Sequence, residues 1–202
     1  MPSFTEVNPH RTSAAFQGKV EAALRLLDGA GTTEARGTAA AIRSGAVKVD
    51  GLSDLTRTDY RRLAKEADPK GRAMTADGFE TLGDARSRVS RFVNGAVYGY
   101  MWDDRVYVST EVSTRRLAAT LVHEVNHVLN HSEEHYRGAK AQLVEEYRAH
   151  YAERVALGVE MTPERCHKLK QQIIREYGLK GVTPDDVADV PPGRMTPDRF
   201  GR

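Results

Sequence analysis

The sequence predicts an α+β chain, with helices first, then a small antiparallel sheet, then helices again. Three observations carry this. Apolar residues recur at helical intervals over residues 13–43. Strand-like alternation replaces that period around residues 92–112, on both sides of "MWDD". The helical period returns at Ser113 and holds to Gly178. At 202 residues, the chain is long enough for one domain to bury its own core.

Residues 1–12 are polar, contain two prolines and read as a loose arm. Ser13 caps a first helix in which Phe16, Val20, Ala23, Leu24 and Leu27 share one face, with Gly29 as the stop. An Ala-rich helix follows over 33–43, and a third over 58–67 ends before Pro69. Residues 77–91 read as a short helix. In "RVYVSTEV", Val106, Val108, Thr110 and Val112 alternate with Arg105, Tyr107, Ser109 and Glu111, as in the second strand of a hairpin. Ser113 then caps a helix to about residue 130 whose buried face is Leu117, Leu121, Val125, Val128 and Leu129. A further helix spans about 137–157 and stops at Gly158. Thr162-Pro163-Glu164 opens the last one, with Gly178 just beyond its end. The chain divides into the arm, a helical region over 13–91, a chemistry-bearing region over 92–178, and a partly extended Pro-rich tail over 179–202.

Composition excludes several classes. Thirty basic against 28 acidic residues leave a net charge of +2, too small and too dispersed for a nucleic-acid partner. No apolar run approaches the ~18–20 residues of a membrane span, and the N-terminus lacks the features of a signal peptide. The expectation is a soluble protein, cytoplasmic or exported without a cleavable signal, with no membrane partner. A single cysteine, Cys166, rules out disulfide frameworks and multi-cysteine zinc sites, and nothing beside it marks a nucleophile.

Seven histidines are sparse, yet five fall between His123 and His150, and two of them form "HEVNH". On a helix, residues i and i+4 project one above the other, so His123 and His127 present two imidazoles to one Zn²⁺. Glu124, rotated by one residue, is placed for a metal-activated water rather than for the metal itself. The motif lies inside an apolar helix, where unpaired His and Glu would be costly to bury. For the third ligand, "HSEEH" offers His131, Glu133, Glu134 and His135. A straight helix carries His131 ~6 Å too far along its axis. Glu146 is better placed: the 18 intervening residues let a helix turn back, and Ala149 permits close packing. The apolar stripe of Leu143, Val144, Tyr147, Tyr151 and Val155 is flanked by Glu145 and Glu146 alike, so periodicity does not choose between them.

"HEVNH" with "EYRA" resembles the HExxH…ExxA pattern of gluzincin zinc metallopeptidases over roughly residues 92–178. "VEEYRA" and "IIREYGL" are further similar to clostridial-neurotoxin-like zinc endopeptidases and small bacterial effector peptidases. The resemblance implies a zincin-like fold, with the sheet packed on the active-site helix, and Zn²⁺ held by His123, His127 and Glu146. The 18-residue gap and Ala149 favour Glu146 within that pattern, leaving Glu145 to orient a ligand histidine. It further implies hydrolysis of a protein or peptide substrate, with Glu124 as general base and an oxyanion donor among Arg175, Tyr177, His150 and Tyr151, the first two preferred. The substrate would pair with residues 105–111 as a sheet edge, near Tyr107 and Ser109. A different reading is a zinc-binding regulatory or interaction protein, with the helices of 13–91 serving recognition. The aromatics Tyr98, Tyr100, Trp102 and Tyr107 fit hairpin core better than an exposed strip.

Overall fold

The computed structural model describes residues 14–51, 99–102, 105–108, 112–130 and 138–191. The arm, the helices expected at 58–67 and 77–91, and the cluster His131–His135 lie outside these. Helix α1 (Ala14–Ala30) and α2 (Thr33–Arg43) lead into strand β1 (Lys48–Gly51). Strands β2 (Gly99–Trp102) and β3 (Arg105–Val108) precede helices α3 (Thr114–Asn130), α4 (Ala139–Ala156) and α5 (Pro163–Glu176). A short 3₁₀ turn, Pro184–Asp186, follows. The architecture is α+β, mostly helical, and no described helix is long and apolar enough to cross a membrane.

Helix ends sit where the local chemistry puts them. The Thr32 hydroxyl accepts from Ala35 N at 3.3 Å, and Ser113 Oγ from Arg116 N at 3.2 Å. Thr162 caps α5 ahead of Pro163, whose missing N–H would have been unsatisfied in any case. At the other end of α5, Gly178 takes φ +62°, a conformation that side chains disfavour. This lets Leu179 N reach back to Ile174 O at 2.9 Å and leaves Tyr177 as the capping residue.

The sheet departs from expectation. A wholly antiparallel sheet is not formed: the order is β1-β3-β2, with β1 parallel to β3 and β2 antiparallel to it. The short apolar alternation of "VKVDG" was the available signal for β1. Arg105 of β3 bridges to Asp50 of β1, a partly buried pair that reinforces the parallel register. With strands on both sides, β3 is central. Over 105–108 it is therefore not the free edge expected, and Tyr107 is buried together with Val106 and Val108, while the remainder of that stretch, Ser109 included, lies outside the described residues.

Two cores follow. The first joins Phe16, Val20, Ala23, Leu24 and Leu27 of α1 to Val106 and Val108 of β3 and to Leu117, Leu121, Val122 and Val125 of α3. The N-terminal helices thus share a core with the HEVNH helix. Each such Leu or Val contributes about 1.5–3 kcal/mol by burial. The second core packs Leu143, Tyr147 and Tyr151 of α4 on Cys166, Leu169 and Ile173 of α5, closed by Val187.

Val187 belongs to the stretch read as a partly extended tail, which over 179–191 is docked instead. Lys170 Nζ, almost wholly buried, donates to Val187 O at 2.8 Å and to Asp189 Oδ1 at 2.9 Å. Tyr147 Oη donates to Asp189 O at 2.6 Å. Lys170→Ala leaves the buried Val187 carbonyl unpaired. It should cost about 1–3 kcal/mol in urea unfolding and expose residues 180–191 to limited proteolysis. Unchanged stability and protease resistance would show that the segment is held by other contacts.

Candidate metal centre

Helices α3 and α4 lie antiparallel, because their contacts run in opposite directions along the two chains. Arg116 meets Glu153, His127 meets Glu145 and Glu146, and Arg148 reaches Asn130 O. Alanines 118, 152 and 156 in the shared core and the fully buried Ala149 keep the helices close. Short side chains from one helix can therefore touch those from the other.

Three donor atoms converge where they meet. His123 Nε2 and His127 Nε2 are 3.1 Å apart. Glu146 Oε2 lies 3.9 Å from the first and 3.8 Å from the second. A point equidistant from all three is about 2.1 Å from each, within the usual Zn–N and Zn–O range. Two ring nitrogens and a carboxylate oxygen facing one small space form a donor set that fits Zn²⁺ chemically as well as in size.

The surrounding groups set the tautomers. Glu145 Oε1 accepts from His127 Nδ1 at 3.2 Å, so the Nε2 lone pair of His127 is turned toward Glu146. Burial, the largest effect on His127, favours the neutral ring. The Glu145 hydrogen bond and the charges of Glu146 and Glu124 outweigh it, and the pKa is raised. For His123 burial prevails over the opposing pull of Glu153 and lowers the pKa to about 4, favouring the neutral form a ligand requires. Glu124 is pushed up to about 7, mainly by burial, with His127 opposing and Glu146 and Glu153 adding to the rise. A carboxylate in that range accepts and returns a proton near neutral pH.

Of the two preferred oxyanion donors, Arg175 and Tyr177, only Tyr177 is brought to this cluster. Its hydroxyl donates to Glu146 Oε2 at 2.7 Å, although the ring is 41% exposed. Burial of the hydroxyl, with the charge of Glu146, raises its pKa and keeps the proton on the oxygen. Arg175 is solvent-exposed, and among the described residues it has no contact with the cluster. It lies two residues before Tyr177 on the same turn and cannot face the same way. Tyr151 packs edge-on against Tyr147 in the second core. His150 lies beside His123, ring centroids 4.4 Å apart.

Glu153 was not singled out from the sequence. It is seven residues beyond Glu146, two turns along the same face of α4, and that spacing was the signal available. Its Oε2 faces His150 Nδ1 at 3.4 Å and His123 Nδ1 at 3.6 Å, and its Oε1 meets Arg116 at 3.4 Å. Burial raises its pKa, but the two histidines outweigh that and hold it well below the usual carboxylate range.

The geometry separates the two adjacent glutamates: Glu146 faces both Nε2 atoms, and Glu145 faces Nδ1 of His127. Glu146→Ala should abolish tight zinc binding, whereas Glu145→Ala should weaken it by about 10–100-fold, both read by competition with a chromogenic chelator. The reverse order would exchange their roles.

Compared with family models, with curated proteins and with solved structures, the chain finds no match.

Proposed function

We propose that this chain is a zinc-dependent metallopeptidase of the gluzincin type, hydrolysing peptide bonds in a protein or peptide substrate. The convergence of His123 Nε2, His127 Nε2 and Glu146 Oε2 within 4.8 Å of one another, beside Glu124, carries the proposal. Zinc, when bound, acidifies a water molecule and polarises the scissile carbonyl. The chain's own groups supply the rest. Glu124 is on the ligand helix but offset from the two imidazoles, so it accepts a proton from the attacking water and delivers it to the leaving amide nitrogen. Tyr177 keeps its hydroxyl proton and lies within reach of the ligand carboxylate, so it is the donor for charge developing on the carbonyl oxygen. Glu145 holds His127 in the required tautomer. An extended substrate would pair with an outer strand, β1 or β2, because β3 is occupied on both sides.

The test is incubation of zinc-loaded protein with a proteome-derived peptide library, read by mass spectrometry for new termini. Cleavage that a chelator abolishes and zinc restores supports the proposal. Zinc bound tightly with no cleavage of peptides or folded proteins would favour the zinc-binding interaction protein instead. Glu124→Gln should keep zinc and fold while losing about 10²–10⁴-fold in kcat. Activity within tenfold of the parent would remove Glu124 from the proton-transfer role. Tyr177→Phe should lower kcat by about 10²-fold with little change in KM. A change confined to KM would place the hydroxyl in substrate binding alone.

A further inference from the structure

Among the described residues, one more group of metal-ligating atoms stands together beside the triad: His123, His150 and Glu153, their ligand atoms within 4.8 Å of one another. The spacing decides what they suit. Glu153 Oε2 is 3.4 Å from His150 Nδ1 and 3.6 Å from His123 Nδ1. A charge-assisted hydrogen bond would draw such atoms to about 2.7–2.9 Å. Ligand atoms around a tetrahedral zinc stand about 3.3–3.4 Å apart. His123 Nδ1 is buried and makes no hydrogen bond, so a donor position is left over at the inner end of the group. His150, a quarter exposed, forms the outer end and gives access from solvent. Arg116 engages Oε1 of Glu153 and leaves Oε2 to the cluster.

We propose that His123 Nδ1, His150 and Glu153 Oε2 form a second, weaker divalent-cation site that shares the His123 ring with the first. This rests on the first site being a zinc site, with His123 bound there through Nε2. For a second Zn²⁺, His123 would supply Nδ1 as a donor only on releasing the Nδ1 proton to solvent, with His150 and Glu153 Oε2 as the other donors. Two dications on one imidazole repel each other, and this makes the second site the weaker. The arrangement would let the chain register zinc above the level needed for its first site.

Equilibrium dialysis against graded ZnCl₂, followed by elemental analysis, tests this. The parent chain should take up two equivalents, the second at least tenfold weaker. His150→Ala and Glu153→Gln should each take up one tight equivalent, with unchanged far-UV circular dichroism. Glu146→Ala should still take up one equivalent, freed of the neighbouring dication's repulsion, and adding His150→Ala should abolish it, so failure of the first site is distinguishable from failure of the second. Saturation of the parent at one equivalent overturns the second site. So does a second equivalent that persists in His150→Ala, because it would lie elsewhere on the chain.

Discussion

The distance between α3 and α4 is the constraint on which the rest depends. Imidazole and carboxylate side chains reach only a few ångströms, so two ligands from one helix meet a third from another only if the backbones nearly touch. Ala118, Ala149, Ala152 and Ala156 allow this, and the packing of Leu117, Leu121, Val122 and Val125 against α1 and the sheet holds α3 in place. On its other side α4 is pressed by α5 through Leu143, Tyr147 and Leu169, so it has no room to retreat. Both cores converge on one crossing, and the chemistry is concentrated there.

That crossing is electrostatically unbalanced by the side chains alone. Glu124, Glu145, Glu146 and Glu153 are gathered around His123, His127 and His150, with Arg116 and Arg148 at the margins. Buried carboxylates are tolerated when positive charge compensates them. Glu153 meets this with two histidines and an arginine, and Glu145 with His127. Glu146 has the Tyr177 hydroxyl and the edges of two imidazoles. A dication between those imidazoles would supply what the arrangement lacks, so metal binding and stability should be thermodynamically linked.

Much of this was legible in the sequence because it depends on local rules. The five apolar positions expected on α1 are the five that are buried, and Ser113, Thr162 and Gly178 mark helix ends in their ordinary ways. The i, i+4 histidines likewise follow from helix geometry. What escaped depends on contacts distant in the chain. Strand β1 is only four residues long, and its partner β3 lies about fifty residues further along the chain, so its pairing leaves little local trace. Periodicity could not separate Glu145 from Glu146 because α4 is buried on two faces, one against α3 and one against α5, and its apolar pattern is blurred. Resemblance groups Arg175 with Tyr177, but at the end of α5 only the Tyr177 hydroxyl reaches Glu146, and Arg175 stays in solvent.

The parallel pairing of β1 with β3 has a kinetic consequence. Lys48–Gly51 can join Arg105–Val108 only after about fifty intervening residues have been looped out, and such non-local contacts are slow to form. The HEVNH helix begins six residues after β3 and packs against both α1 and the sheet. Assembly of its two histidines opposite Glu146 is therefore coupled to closure of that long loop. The N-terminal helices are part of the folding unit that creates the site, and a fragment starting at residue 92 would have the motif without the nucleus that positions it.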